Sequence, residues 1–121
     1  MLAGKRSVRV GDQLLREIAD ILTRKVRDPR VEGVTLTGIE MTRDLRNAKI
    51  YFSAIGDNTV IKRAQSGLDS AKGFIKREVG MRMDLRYMPE IVFKHDPTLE
   101  TAHYMEDLLR TLKTDGEKAD D

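Results

Sequence analysis

The chain has 121 residues, 40% of them hydrophobic and 35% charged, with a formal net charge of +2 at pH 7. This length fits one domain with one core, and no apolar run approaches the roughly 18 residues that a membrane span needs. The absence of cysteine excludes disulfides, thiolate nucleophiles and cysteine-based metal sites. The N-terminus lacks the continuous apolar stretch of a signal peptide, so we expect a cytoplasmic protein.

The charges are unevenly distributed along the chain. Residues 114–121 hold four acidic residues and one lysine, so the rest of the chain carries 21 basic and 16 acidic residues. We predict one folded domain over residues 1–113 and a flexible acidic tail over residues 114–121. A basic excess favours a polyanionic partner, but many ordinary domains share it, and charge alone leaves the two interpretations even.

An amphipathic helix is predicted over residues 10–26. Its apolar residues recur at steps of three and four, which places on one face Val10, Leu14, Ile18, Ile21 and Leu22. The helix should end before Asp28-Pro29, because proline disfavours the helical conformation in the residue that precedes it. A turn through Gly33 follows.

A β-hairpin is predicted next. Residues 34–41 are rich in β-branched side chains and residues 47–55 alternate in polarity, with the polar segment 42–46 as the connecting turn. The apolar residues of the first strand change parity near Gly38, which predicts a β-bulge at that point.

A long helical pattern follows the turn at residues 56–58. Apolar residues keep helical spacing from Ile61 to Met83, past Gly67 and Gly73. Because an interior glycine costs about 1 kcal/mol relative to alanine, two of them predict a bend or two helices, and we place the break at Gly73. A β-branched residue at this break is then expected to strain the fold.

A third strand and a last helix are predicted near the C-terminus. The strand, residues 90–95, follows Pro89 and carries Ile91 and Phe93 on its inward side. Asp96 or Thr98 then caps a helix with an apolar side formed by Leu99, Tyr104, Leu108, Leu109 and Leu112.

The order helix, strand, strand, helix, break, helix, strand, helix predicts an α+β fold in which the helices cover one face of a three-stranded sheet. This order resembles that of a type II KH domain. KH domains hold single-stranded nucleic acid at a helix junction, where a glycine-rich turn brings the sugar-phosphate backbone close to main-chain donors. Here the junction is Ser70-Ala71-Lys72-Gly73-Phe74.

Several separated segments form a more specific ordered set. They are Asp28-Pro29-Arg30-Val31, Arg43-Asp44-Leu45, Ala48-Lys49-Ile50-Tyr51, Ala71-Lys72-Gly73-Phe74-Ile75-Lys76 and Leu85-Arg86-Tyr87-Met88-Pro89-Glu90-Ile91-Val92-Phe93, followed by Asp96. Through them the sequence resembles the bacterial ribosome-binding factor A family from Arg6 to Leu112. Each segment alone is weak, and the order and spacing together carry the resemblance.

The resemblance implies a KH-type domain in which an alanine-x-glycine kink, here Ala71-Lys72-Gly73, replaces the usual GxxG loop. It further implies a factor that binds the free or immature 30S ribosomal subunit, contacts 16S ribosomal RNA during late maturation, and supports growth in the cold. We expect such a factor to be a monomer without catalytic activity or a cofactor.

Basic residues concentrate around the kink. The segment 62–86 carries three acidic residues and seven basic ones, namely Lys62, Arg63, Lys72, Lys76, Arg77, Arg82 and Arg86. We predict that all seven contact RNA, and that the main contact is made by Lys72, Lys76 and Arg77, together with Ala71 and Gly73 of the kink. The alternative interpretation is a solvated helix face whose charges only keep the protein soluble.

Further phosphate contacts are predicted on the first helix and the hairpin, at Arg9, Arg16, Arg43, Arg46 and Lys49. These residues are equally compatible with a surface role, since exposed ion pairs with nearby acids are worth only about 0–1 kcal/mol.

Aromatic stacking on bases has few candidate residues. The three phenylalanines, at positions 52, 74 and 93, fall on predicted core positions. Tyr51 and Tyr87 are therefore the two candidate platforms, and we expect binding dominated by backbone charge.

Two other functions stay open from the sequence. One is a general KH-type binder of single-stranded RNA. The other is a metal-dependent hydrolase that uses Glu100 and His103, which match the E-x-x-H spacing of di-iron bundles. A second such motif is absent, as are a nucleophile elbow, a P-loop and a dinucleotide fingerprint, so we predict neither a metal site nor an enzyme.

Overall fold

The protein is described by a computed structural model over residues 5–96. Helix α1 spans Lys5–Arg24 and is followed by a 3-10 turn at Pro29–Val31. Strand β1 spans Thr35–Met41, β2 Asn47–Ser53, helix α2 Asn58–Arg82, and β3 Glu90–His95. The predicted α+β architecture, with helices on one face of a three-stranded sheet, is confirmed.

The sheet has the order β1-β2-β3, with β1 antiparallel and β3 parallel to the central β2. A parallel pair needs a long crossover, and α2 supplies it. The register between β1 and β2 shifts between Leu36 and Gly38, which confirms the predicted bulge.

The core lies between the inner face of the sheet and the two helices. Its fully buried side chains come from all of these elements and include Leu14, Ile18, Ile21, Ile50, Phe52, Leu68, Ile75, Val79 and Ile91. The opposite face of the sheet is exposed at Lys49, Val92 and Lys94. Alternation along each strand therefore separates a buried face from a solvated one.

The predicted break at Gly73 is wrong. Helix α2 is one continuous helix of 25 residues, and Gly73 lies inside it. Its buried stripe, from Ala64 to Val79, packs on the core, and this burial outweighs the cost of about 1 kcal/mol for an interior glycine. A Cβ added at Gly73 would meet no atom within 4 Å, so the position has room for an alanine, and strain from a β-branched residue stays a prediction.

The glycine that α2 needs for packing is Gly67. A Cβ at this position would lie 2.8 Å from Val31 Cγ1 and 3.0 Å from Arg30 Cβ, both in the 3-10 turn. The turn is held by Asp28, whose carboxylate accepts hydrogen bonds from the backbone N–H of Arg30 (2.9 Å) and from its guanidinium (2.7 Å). The close approach of the 3-10 turn to α2 thus depends on the absence of a side chain at Gly67.

Helix α1 is already formed at Lys5, earlier than the apolar pattern predicts. Its first turns bury Ser7 and Gly11, and a Cβ at Gly11 would contact Ile39 of β1 at 3.5 Å. Small residues make this contact, so a search for large apolar side chains misses it. The predicted C-terminal helix, the Glu100–His103 motif and the acidic tail lie outside the described residues.

Candidate nucleic-acid interface

Lys72 and Lys76 are half-buried on α2 and each lies beside a carboxylate. Lys76 Nζ is 3.1 Å from Glu90 Oε1 at the start of β3, and Lys72 Nζ is 3.7 Å from Asp69 Oδ1 on the same helix. The Lys72 side chain is 33% exposed and the Lys76 side chain is 28% exposed. Such pairs contribute little to stability, but a phosphate must compete with the carboxylate for each ammonium group.

A groove of about 240 Å³ runs along the other flank of α2. Positions 74 and 76 are about 200° apart around a helix, so Phe74 faces this groove while Lys76 faces β3. The groove lies between α2 and the segment that follows α1, and its walls are formed by Lys25, Val26, Arg27, Asp28, Ser70, Ala71 and Phe74. Two of the predicted contact residues, Ala71 and Arg77, therefore belong to a different flank from the lysines.

The groove flank carries three arginines without a close acidic partner, whereas Lys25 in its wall lies 3.7 Å from Glu78 Oε1. The Arg77 guanidinium carbon lies 5.9 Å from the centroid of the Phe74 ring, a cation–π contact. Hydrogen bonds from Arg30 lower the pKa of Asp28, and the charge of Arg63 adds to this effect. Within residues 5–96, no carboxylate oxygen comes within 4.0 Å of the guanidinium groups of Arg27, Arg63 or Arg77.

Phe74 is only partly buried, unlike the other two phenylalanines. Phe52 and Phe93 are buried in the core as predicted. Phe74 packs against the core with one part and lines the groove with another. It is thus an additional aromatic surface that the sequence pattern did not indicate.

Arg82 is engaged in a network between the two helices. Its Nη1 atom is 3.1 Å from Glu17 Oε1 and 2.8 Å from Asp20 Oδ2, and its side chain is 23% exposed. These hydrogen bonds raise the pKa of Arg82, with Asp20 the larger cause, and the bond from Arg82 is the main reason the pKa of Asp20 is lowered. Arg82 joins α1 to α2, and an RNA contact by this residue stays a prediction.

Arg46 and Arg86 meet at Tyr87, in the loop between α2 and β3. Their guanidinium carbons lie 4.7 and 5.4 Å from the centroid of the tyrosine ring. Tyr87 is 50% exposed. A cavity of about 230 Å³ adjoins the ring, lined by Arg6, Val10, Asp44, Leu45, Asp84, Leu85, Arg86 and Tyr87.

The other candidate tyrosine is on the exposed face of the sheet. The Tyr51 hydroxyl donates a hydrogen bond of 2.9 Å to Glu40, which raises the pKa of Tyr51. Lys49 Nζ lies 4.0 Å from the same carboxylate, in agreement with the expected pairing across the hairpin. The ring is half-buried and beside an acid, so Tyr51 is a poor stacking platform.

The remaining predicted contacts are exposed but scattered. They are Arg9 and Arg16 on α1, Arg43 in the hairpin turn, and Lys62 in the first turns of α2. Sequence reasoning missed Arg27 in the groove and the meeting of Arg46 with Tyr87. The Arg86-Tyr87 pair was visible as neighbours, whereas the Arg46 contact joins residues far apart in the chain.

The described residues form neither a metal site nor a membrane span. No three histidine or acidic side chains of residues 5–96 are placed to hold a metal ion together. Among the described helices, neither is long and apolar enough to cross a membrane.

Comparison with known families places the chain beside one of them. A family model described as "Ribosome-binding factor A" matches residues 6–109. A protein of that name from Enterococcus faecalis is 41% identical over 112 residues, which cover 92% of this chain and 97% of the relative. One from Citrifermentans bemidjiense is 38% identical over 117 residues, 95% and 98% of the two chains.

Solved structures agree on the fold. The solution structure of a putative ribosome binding factor A from Thermotoga maritima has a TM-score of 0.67 at 28% identity, over 78% of this chain and 90% of that one. The crystal structure of ribosome-binding factor A from Thermus thermophilus has the same TM-score at 20% identity, over 74% and 93% of the two chains. These likenesses support the KH-like fold predicted from the order of elements.

Proposed function

Because this chain belongs to the ribosome-binding factor A family, we propose that it binds the small ribosomal subunit through ribosomal RNA. The observation that carries the proposal is the family match over residues 6–109, together with relatives about 40% identical along nearly the whole chain. One structural neighbour, a Thermus thermophilus ribosome binding factor A, was fitted into a map of its complex with the 30S subunit. That complex is of the neighbour, and we extend binding of the 30S subunit to this chain.

We also propose the target of this binding and the stage at which it occurs. The protein acts on free or immature 30S subunits in late maturation, contacts 16S ribosomal RNA, and supports growth in the cold. It works in the cytoplasm as a monomer, with no cofactor and no catalytic step.

The distribution of charge supports contact with an RNA backbone. Several exposed arginines lack a carboxylate partner in the described range, and three of them, Arg27, Arg63 and Arg77, lie at or near the groove beside Ala71. Cations of this kind replace the counterions of the phosphate backbone, and the contact carries little sequence information. We assign the main contact to this flank and give Lys72 and Lys76 a supporting role.

Co-sedimentation tests the proposal. The purified protein is mixed with immature small subunits, mature small subunits or large subunits, and each mixture is pelleted through sucrose. We expect pelleting with the small particles, strongest with the immature ones, and none with large subunits. Failure to pellet with either small particle would rule the proposal out.

The second candidate is a general KH-type binder of single-stranded RNA. It is favoured by the placement of the exposed cations, which suits any phosphate backbone. Filter binding separates the two functions, because a general binder holds short unstructured RNA as tightly as it holds small subunits. We expect tighter binding to subunits.

A further inference from the structure

We infer that the cavity beside Tyr87 holds one unpaired RNA nucleotide, with the base on the tyrosine ring and the phosphate between Arg46 and Arg86. This inference rests on the proposed function and adds a second contact, separate from the groove at Ala71. It also names the class of base that the cavity prefers.

The main chain fixes Arg46 beside the ring. Leu45 adopts a left-handed conformation with φ of 64°, and the N–H of Arg46 donates to Asp44 Oδ1 at 3.0 Å. The carbonyl oxygen of Arg46 accepts a hydrogen bond of 2.8 Å from the N–H of Glu90 at the start of β3. Both backbone groups of Arg46 are therefore tied, and the hairpin turn is joined to the strand that Tyr87 precedes.

Three cations at or beside this cavity are available for an anion, since Arg6 and Arg86 line it and Arg46 lies over the ring of Tyr87. Within the described part of the chain, no carboxylate oxygen lies within 4.0 Å of the charged groups of Arg6, Arg46 or Arg86. A guanidinium that lies against an aromatic ring keeps the N–H groups on its edge free for phosphate oxygens. Arg82 is the contrast, since Glu17 and Asp20 already occupy its donors.

The size of the cavity suits one base. Its volume of about 230 Å³ is smaller than the range of about 300–1,000 Å³ that is typical of sites for drug-sized ligands. Apolar side chains of Val10, Leu45 and Leu85 line it together with the half-exposed tyrosine. A flat aromatic base that takes the place of a guanidinium over the Tyr87 ring would cover this surface, as unpaired bases do in many RNA complexes, and the displaced guanidinium would meet the phosphate.

Two carboxylates in the wall determine the base class. Asp44 Oδ1 already accepts hydrogen bonds from the Thr42 hydroxyl and the Arg46 N–H, which lower the pKa of Asp44 and keep it ionised. Asp84 makes no hydrogen bond or ion pair with any described residue, and its side chain is exposed at the cavity. An ionised carboxylate only accepts hydrogen bonds, so it favours the exocyclic amino group of a base such as cytosine. Uracil has a carbonyl oxygen at that position, which the carboxylate repels, and its N3–H lies between two such oxygens.

The first test measures stacking. Fluorescence anisotropy with labelled short oligocytidine gives the affinity of the wild-type protein and of three variants, with circular dichroism to check that each is folded. We expect Tyr87→Ala to lose about tenfold in affinity and Tyr87→Phe to lose little, since base–aromatic stacking is worth about 1–3 kcal/mol. The control Tyr51→Ala, which removes the tyrosine on the exposed sheet face, should bind like wild type. Equal affinity of folded Tyr87→Ala and wild type overturns the inference.

The second test measures base preference. Wild type is expected to bind oligocytidine several-fold more tightly than oligouridine. The isosteric change Asp84→Asn turns one acceptor into a donor, so the ratio of the two affinities should fall to one or below, even though removing a negative charge raises both affinities. A ratio that stays at the wild-type value shows that Asp84 does not read the base and overturns that part of the inference.

Small subunits distinguish this inference from the function on which it rests. Wild type that pellets with small subunits, while Tyr87→Ala binds oligocytidine and subunits equally well, overturns the nucleotide site alone. Wild type that fails to pellet with small subunits overturns the proposed function. Weaker pelleting of Tyr87→Ala, with Tyr51→Ala unchanged, supports both.

Discussion

Two glycines of the same helix have opposite surroundings. Gly67 is buried against the 3-10 turn, where a Cβ would come within 2.8 Å of Val31, whereas Gly73 is exposed and its Cβ would meet nothing within 4 Å. The turn of α2 around Gly67 is therefore part of the packed fold. The turn around Gly73 is an open surface on which residues can change without disturbing the core.

The same division separates the arginines of α2. Arg82 donates to two carboxylates of α1, while Arg77 lies over Phe74 at the edge of the groove without an acidic partner in the described range. One cation joins two helices and the other is free to meet a phosphate. Residue type and helical position alone do not distinguish them, because the difference comes from what the neighbouring elements present.

The largest effect is expected at Gly67. Gly67→Ala forces a Cβ into Val31 and Arg30, and overpacking of this kind costs about 1–3 kcal/mol. The higher helix propensity of alanine offsets up to about 1 kcal/mol of this cost. We expect the free energy of unfolding in urea to fall by about 1–2 kcal/mol. Val31→Ala should partly rescue this variant in a double-mutant cycle. A Gly67→Ala protein as stable as wild type would contradict the close packing.

A smaller effect is expected for binding at the two flanks of α2. The double variant Arg63→Gln/Arg77→Gln should weaken RNA binding by about tenfold and reduce the slope of log K against log salt by about 1.4, at about 0.7 for each phosphate contact with a single strand. The matched double variant Lys72→Gln/Lys76→Gln removes the same charge from residues that already have acidic neighbours. This double variant should lose less RNA affinity than Arg63→Gln/Arg77→Gln. Filter binding over a salt series measures both slopes, and the reverse order would return the main contact to the lysines.

At Gly73 we expect a gain. Gly73→Ala should raise the free energy of unfolding by up to about 1 kcal/mol, because the position is helical and open. Pelleting with small subunits should be unchanged if side chains beside Gly73 make the contact. A stable Gly73→Ala protein that no longer pellets would show that RNA approaches the backbone at this glycine.

The pattern of the sequence was sufficient for most of the fold and for little of the site. Alternation and helical spacing identified the three strands, the bulge near Gly38 and the buried stripes of both helices. These features are local, and each depends on residues a few positions apart. The break at Gly73 was wrong because the cost of one glycine was weighed without the burial of the whole stripe around it.

Contacts between distant residues explain what the sequence did not reveal. In the sequence Lys76 has no acidic partner nearby, but in the structure Glu90 of β3 lies 3.1 Å from it. Likewise Arg46 is an isolated charge of the hairpin in the sequence, but its guanidinium carbon lies 4.7 Å from the centroid of the Tyr87 ring. The family resemblance pointed to RNA but not to which cations are free. That property is set by the carboxylates of neighbouring elements, which only the three-dimensional arrangement brings close.

The smallest effect is expected for the network of Arg82, Glu17 and Asp20 between the two helices, at acid pH. The hydrogen bond from Arg82 lowers the pKa of Asp20 below its ordinary value of 3.8, so Asp20 stabilises the fold above that value and loses this contribution as the pH falls through its lower, folded-state pKa. Asp20→Asn should therefore unfold at lower urea than wild type at neutral pH, and the difference should shrink as the pH falls below 3.8. Glu17 still pairs with Arg82 in the variant, which keeps the effect small. If the difference in stability between wild type and Asp20→Asn does not change with pH, the charge of Asp20 contributes nothing to the stability of the fold.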